Sequence, residues 1–410
     1  METICFEGGG QFGIEQVKTL PAILPSNARF AQEPQDKMAK RMTSYENPEG
    51  DSVMTAPAVS KNETIGIGCV GVGGRGFGLL RFVLEVKGVQ VNAVCDSSAE
   101  NRARASKAVV DAGQPKPKEY ETWNALLENK AVDGVVSALP CDLHAQNYLD
   151  VIAAGKDLYG EKPMCLSPAE CNAVVDAANG SKQIVQIGFQ RRADPRFIEP
   201  MALVHAGELG QLVEGRIAWA NSWGPLYGWF GKRDRSGDWM VEQAVHNWDV
   251  MNWANQSLPV RAMGLGKSGL YKEQQPDRDV TDYYSALVEY GNGVVVNILH
   301  SWVSPGQNGH FTRAFNDEYT RLIGTDAGID FNSGTFSYRR ELDKPDKIGH
   351  NHQGEINGSL LALEAFADSI RTRKPPVSGV EEGRNAVLAC LLVREAVYRG
   401  GVVTMEELTA

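Results

Sequence analysis

The segment VEQAVHNWDVMNW, Val241 to Trp253, spaces Glu242, His246, Asp249 and Trp253 at i, i+4, i+7 and i+11. On an α-helix those spacings align a carboxylate, an imidazole, a second carboxylate and an indole along one stripe. Two arrangements fit. One is a buried helix whose polar members hydrogen-bond each other; the other is an acid/base pair, Glu242 and His246, facing a cleft. An unperturbed imidazole titrates near pH 6.5, so it can take and return protons in the neutral range. A carboxylate beside it would fix its tautomer and favour its protonated form. Nothing local decides between the two, so the elements around them must.

The stretch ETIGIGCVGVGGRGFGLLRFVLEVKGVQVNAVCDSS is the most informative. Ile65 to Val70 is a short apolar run suited to a buried parallel strand. Gly71, Gly73 and Gly76 then form G-x-G-x-x-G, with Gly74 and Arg75 inside it, and a helical pattern follows. A second apolar run from Val89 to Cys95 ends in Asp96, about the 20 residues past Gly76 expected of a ribose-binding acid. Glycines permit the tight turn and let a pyrophosphate approach the backbone at a helix N-terminus. Asp96 would accept hydrogen bonds from ribose hydroxyls and repel a 2′-phosphate, so the cofactor expected is NAD. Arg75 can neutralise a phosphate, which keeps NADP as the lesser alternative.

Past Asp96, strands and helices keep alternating. Ser98 caps a helix to about Ala112, and AVDGVVSALP is a buried strand that brings Leu139 and Pro140 to its end. DLHAQNYLDVIAAG is a helix closed by Gly155, KDLYGEKPM a strand, SPAECNAVVDAANG a helix and QIVQIGFQ a strand. Such alternation predicts a doubly wound parallel sheet. Ligands bind these sheets at the carboxyl ends of the strands, which puts Glu161, Lys162, Pro163 and His144 on the crevice, with Leu139 a further cofactor-binding candidate. From residue 191 the pattern changes. RRADPRFIEPMALVHAGELG reads as one helix, and the runs from LVEGRIAWANSW to GIDFNSGTFSYRRE read as strands of an open sheet, with YGNG a hairpin turn. The tail returns to amphipathic helix. The expected architecture is therefore α/β plus α+β: residues 1–60 a polar arm, 61–190 a dinucleotide-binding domain, 191–410 a second domain.

Seven of the eight tryptophans fall between Trp219 and Trp302. Most are expected in a core, with Trp223 and Trp229 the candidates for stacking on a sugar ring. GLGKSG, Gly264 to Gly269, lacks the glycine a phosphate-binding loop needs and is set aside. A formal charge of −10 argues against nucleic acid or an anionic membrane surface as partner. No apolar run reaches the 18 residues of a membrane span. Seven scattered cysteines without a CxxC support neither a zinc site nor a redox motif. His350 and His352 in GHNHQGE lack a third ligand in spacing, so no metal is expected. The N-terminus has no signal-peptide pattern, which points to the cytoplasm, and Met54 is a candidate alternative start.

Taken together, GVGGRG, Asp96, HAQNYLDVIAAGKDLYGEKP, IGFQRRADPRF, GELG, VHNWDVMNW, GTDAGID and EEGRNAVLACLLVREAVYRGG resemble the glucose–fructose oxidoreductase and inositol dehydrogenase (Gfo/Idh/MocA) family over about residues 64 to 405. The resemblance implies an N-terminal Rossmann domain, a C-terminal domain on a large, mostly antiparallel sheet, and dimers or tetramers through the outer sheet face. It implies a tightly held nicotinamide cofactor and a sugar, cyclitol or related polyol as substrate. The family's E-K-P lysine corresponds to Lys162, and its D-x-x-x-H pair is met as Glu242-x-x-x-His246, the acid one methylene longer than usual. Chemically, His246 would remove the hydroxyl proton of a secondary alcohol as hydride leaves for the nicotinamide, with Glu242 assisting. Lys162 would hydrogen-bond the developing oxyanion. Arg191 is a further substrate-binding candidate, and Asp249 reads as structural. Two alternatives remain open: redox-assisted glycoside hydrolysis, against which Gln243 weighs, and a cofactor-retaining regulator without turnover.

Overall fold

The computed structural model describes residues 64–222, 224–225, 228–307, 310–311, 317–342, 344–345, 347–348 and 356–410. The expectations for residues 1–60, Met54, Trp223, His350 and His352 lie outside them.

Six parallel strands form the first sheet: β1 (Ile65–Val70), β2 (Val89–Cys95), β3 (Lys118–Tyr120), β4 (Gly134–Ser137), β5 (Asp157–Gly160) and β6 (Val185–Ile187). Their order is β3-β2-β1-β4-β5-β6, so the winding reverses between β1 and β4, where a crevice opens at the carboxyl ends. The apolar runs behave as the pattern requires, with all six residues of β1 and all four of β4 and β5 buried. Between the strands run α1 (Gly74–Val83), α2 (Ala99–Asp111), α3 (Trp123–Leu127), α4 (His144–Ala153) and α5 (Pro168–Asn179). Ser98 caps α2 by accepting from the Asn101 amide, and Ser167 caps α5 from Glu170.

The helix expected over RRADPRFIEPMALVHAGELG is corrected. Gln190–Ala193 is a 3₁₀ turn, and α6 runs only from Pro195 to His205. Asp194 separates the two: it precedes a proline, which excludes the helical region, and at ψ 119 its carboxylate accepts from the Arg196 amide as an N-cap.

The second sheet is built from β7 (Leu212–Ala220), β8 (Pro259–Lys267), β9 (Tyr283–Tyr290), β10 (Val295–Ser301), β13 (Glu318–Gly324), β14 (Ala327–Asp330), β15 (Thr335–Tyr338), β16 (Lys347–Ile348) and β17 (Val402–Thr404), with Gly306–Gln307 (β11) and His310–Phe311 (β12) pairing apart from it. Its order is β16-β15-β14-β13-β7-β10-β9-β8-β17; only β7 and β10 run parallel. Burial alternates along β9, where Tyr284, Ala286, Val288 and Tyr290 point into the core. α7 (Arg233–Ser236) and α8 (Trp239–Glu242) lead into the covering helices α9 (Val245–Asn255) and α11 (Val380–Arg399), with α12 (Met405–Thr409) at the end. Gly264 and Gly266 of the set-aside GLGKSG face Val397 of α11, where a Cβ would lie 2.8 and 2.7 Å from its methyls. They are packing glycines.

Helix α10 (Gly358–Thr372) belongs to the first sheet. Ala362, Leu363, Phe366, Ala367 and Ile370 share a core with β1 and β2, and Gln186 of β6 donates to the Ala362 carbonyl at 2.8 Å. The tail thus contributes one helix to the first sheet. No helix among the described residues is long and apolar enough to cross a membrane.

Candidate active site

The glycine turn divides its labour by position. Gly71 sits at φ +76, and a Cβ there would lie 2.5 Å from the Ala138 carbonyl oxygen; at Gly76 it would lie 1.8 Å from the Gly71 carbonyl oxygen. These two make the turn possible. At Gly73 the nearest atom to a Cβ would be 3.6 Å away, and at Gly74 nothing lies within 4 Å. Their open side lines a cleft of about 780 Å³, within the roughly 300–1,000 Å³ usual for small-molecule sites. α1 begins at Gly74, so its free amides and positive dipole end open toward the same space. Asp96 lines the cleft at the end of β2, with Oδ1 accepting from the Ser98 amide at 2.9 Å and Asn101 Nδ2 at 3.3 Å. Open backbone for a pyrophosphate, a helix N-terminus behind it and an acid on the same cleft at the end of β2 fit a dinucleotide.

Arg75 donates from Nε to Glu161 Oε1 at 2.7 Å and from Nη2 to Ser359 Oγ of α10 at 3.1 Å. Leu139, Glu161 and Lys162 also line the cleft. His144 does not. It is 1% exposed, stacks on Tyr148, and faces two carbonyls, Pro163 O at 2.6 Å from Nδ1 and Leu139 O at 2.9 Å from Nε2. Its expected place on the crevice wall is corrected: burial, partly offset by those carbonyls, lowers its pKa, and it braces the two loops that carry Leu139 and Lys162.

Across the cleft stand Glu242 and His246, but not on one continuous helix. Gln243 and Ala244 form a turn between α8 and α9: Ala244 N reaches back to Trp239 O, and His246 N to Gln243 O. The single stripe from Glu242 to Trp253 is thus broken after its first member. The partners change accordingly. Glu242 pairs with Lys162, whose Nζ donates to Oε1 at 2.6 Å and to the Glu242 carbonyl at 2.7 Å; no described hydrogen bond joins Glu242 to His246. The expectation that Glu242 fixes the imidazole tautomer is corrected on that ground.

These contacts set the charges. Burial pushes the Lys162 pKa down, but Glu242 and Glu161 outweigh it and hold the ammonium above its ordinary value. His246 is driven well below 6.5, chiefly by burial and then by the cations of Lys162, Arg191 and Arg75. Its Nδ1 is buried without a hydrogen-bond partner. The cleft therefore holds a fixed ammonium beside a neutral imidazole that still has a buried nitrogen to satisfy.

Asp249 accepts from Arg192 Nε at 2.9 and 3.1 Å, a structural pair. Arg191 lies outside the main cleft. Its guanidinium sits over the Phe197 and Trp219 rings and 4.0 Å from Glu318, lining a neighbouring cavity of about 530 Å³ that shares Gln190 with the cleft. Trp239, Trp248 and Trp302 are core residues, whereas Trp229, stacked on Phe230, lines the cleft.

Three participants escape sequence reasoning. Gln243 accepts from His300 Nε2 at 2.8 Å and Trp302 Nε1 at 2.9 Å, anchoring the turn between the two candidate groups to β10 and its end. Arg235 bonds Asp142 and helps Trp229 cover the cleft from the second sheet's side. Ser359 reaches Arg75 across 284 positions. None carries a spacing signal.

Comparison with known proteins agrees with this fold. The family model described as "Oxidoreductase family, NAD-binding Rossmann fold" matches residues 65–189, and that for the "GFO/IDH/MocA C-terminal domain" matches 199–330. An inositol 2-dehydrogenase of Salmonella typhimurium is 32% identical over 194 residues, 46% of this chain and 54% of that protein, so the match spans about half the relative's length. A glycosyl hydrolase family 109 protein of Saccharopolyspora erythraea is 28% identical over 376 residues, 80% of this chain and 79% of that protein. The crystal structure of an aldose–aldose oxidoreductase from Caulobacter crescentus shares the fold, with a TM-score of 0.70 at 19% identity over 83% of this chain and 100% of that one. By its sheets, its glycine turn and both matched domains, the chain belongs to the GFO/IDH/MocA oxidoreductase family, with the NAD-binding Rossmann fold.

Proposed function

We propose that this protein moves a hydride between NAD and a secondary alcohol of a sugar, cyclitol or related polyol. The observation that carries the reading is convergence: Lys162, Glu242 and His246 line the same cleft as the glycine turn and Asp96. The nicotinamide, when bound, supplies the hydride acceptor. The chain supplies the rest. His246, neutral because it is buried, takes the hydroxyl proton on its imidazole. Lys162 donates a hydrogen bond to the same oxygen as negative charge grows there, and Glu242 keeps that lysine protonated and aimed. Trp229 and Phe230 narrow the opening and limit water. Inositol 2-dehydrogenase and aldose–aldose oxidoreductase, as names of similar proteins, support a polyol or sugar. The test is NADH formation by purified protein over a panel of sugars and cyclitols. Turnover of none of them, from protein stabilised by NAD, counts against the reading.

A second reading has an observation of its own. The family 109 glycosidase aligns with 80% of the chain, against 46% for the inositol dehydrogenase. Transient oxidation followed by loss of an aglycone would use the same His246 and Lys162. Release of p-nitrophenol from aryl glycosides without net NADH would favour it.

Assembly is part of the proposal. On the outer face of the second sheet, Val402 pairs with Met263 and Met263 with Leu287, all exposed, while Leu265 and Leu299 flank Ser285. An apolar stripe this continuous suits an isologous contact between two copies. Met263→Glu combined with Leu287→Glu is expected to shift the sedimenting species to monomer with the far-UV circular dichroism of the folded chain retained. A wild type already monomeric at micromolar concentration removes this part.

A further inference from the structure

Glu242 has to be held where one ammonium meets both its carboxylate and its carbonyl, and what holds it lies four residues earlier. Asp238 is fully buried and sits at φ 72, ψ 153, a backbone region that favours glycine. Its neighbour Gly237 also has positive φ, so a glycine at 238 would follow the same path without strain. The aspartate is instead fastened on several sides. Its Oδ1 accepts from the Met240 amide at 3.1 Å and its Oδ2 from the Thr281 amide at 2.9 Å and the Tyr398 hydroxyl at 2.7 Å. Thr281 Oγ1 lies 3.2 Å from both oxygens. One carboxylate thus ties the first turn of α8 to the segment before β9 and to α11.

The tie ends at the cleft. The Asp238 carbonyl accepts from the Glu242 amide at 3.0 Å, and the Glu242 carbonyl accepts from Lys162 Nζ at 2.7 Å. Trp239 adds a second strut, donating from Nε1 to the Thr281 carbonyl at 2.6 Å. With only four residues in α8, there is no further turn to absorb a shift. We propose that Asp238 is a positioning residue that, with Tyr398 and Thr281, fixes α8 so that Glu242 holds Lys162 charged and aimed into the cleft. The inference rests on the reading that Lys162 and Glu242 act as a pair, but not on which substrate they serve.

A readout independent of turnover separates the two. Full-length protein is acylated with acetic anhydride at fixed pH, with and without NAD, and Lys162 is quantified by peptide mass spectrometry against exposed Lys107. A buried lysine that loses its carboxylate partner loses protons, so its free amine reacts faster. Asp238→Gly, which suits the backbone but removes the tie, is expected to raise Lys162 acylation about tenfold, the change for one pKa unit. Tyr398→Phe should give a smaller rise in the same direction, and Glu242→Gln at least as large a one, with Lys107 unchanged throughout. If Asp238→Gly does not fold, Tyr398→Phe decides. Acylation within twofold of wild type in Asp238→Gly or, failing that, in Tyr398→Phe, while Glu242→Gln reacts faster, overturns the positioning role. No rise in Glu242→Gln overturns its premise. Absence of dehydrogenase turnover in the same preparations bears on the proposed reaction alone.

Discussion

His246→Ala is expected to lower kcat of the proposed reaction by roughly 10³, within the range ascribed to a positioned general base, with NAD affinity near that of wild type. The side chain lines the cleft and packs edge to face against Phe189, and it belongs neither to the glycine motif nor to the ribose-side acid, so cofactor binding has little reason to change. The pH profile is the sharper check. In the proposed reaction protonation of His246 would remove the base, and its pKa is driven well below 6.5 by burial and by three nearby cations. Activity is therefore expected to hold as pH falls through 6.5 and to decline only in more acid solution, as the imidazole finally protonates. On the alkaline side the Lys162 pKa is raised by Glu242 and Glu161 against the effect of burial, so its ammonium persists past the ordinary lysine range. Glu242→Gln removes that support, and the alkaline limb should move to lower pH. A kcat that survives His246→Ala, or an acid limb centred at 6.5, would assign the proton transfer elsewhere.

How much of this was legible beforehand depends on the range over which each feature is determined. The first sheet was readable because its signals are local: buried strands are continuous apolar runs, and the glycines and Asp96 sit at distances fixed by one βαβ unit. Leu139, Glu161 and Lys162 were placed by the same geometry, since strand ends in a doubly wound sheet face one crevice, and all three line the cleft. What failed was anything decided across the chain. Glu242 and His246 were matched by helical spacing, but Gln243, drawn to His300 and Trp302 on another element, breaks the helix between them. Glu242 then finds Lys162, 80 positions away, in place of its neighbour four along. His144, equally polar and equally near a strand end, is held by two carbonyls beneath the surface. The tail helix α10 reads as amphipathic in isolation, and no periodicity says which of two sheets receives it. Asp238 offered no pattern at all, because its meaning lies in a positive φ and in donors at 281 and 398.

The glycine motif gives the second large effect, and a contrast inside it separates the turn from the ligand. Gly76→Ala places a methyl 1.8 Å from the Gly71 carbonyl oxygen, well inside contact distance and against backbone that cannot rotate aside. The turn must open, which carries the first residues of α1 with it and costs at least the roughly 1–3 kcal/mol typical of overpacking. Loss of NAD binding and a lower melting temperature should appear together. Gly73→Ala is different: its methyl would sit 3.6 Å from the nearest atom, so the free protein should melt as wild type does. If a pyrophosphate rests against that open backbone, the same methyl occupies the ligand's space, and NAD affinity should drop about 30-fold, near 2 kcal/mol. Equilibrium titration of cofactor beside thermal unfolding reads both quantities. Wild-type affinity in Gly73→Ala would mean that the ligand does not approach this turn, and the cleft would need another occupant. Equal melting losses in both variants would mean that all the glycines serve the turn, leaving Asp96 and the α1 amides as the remaining basis for a nucleotide.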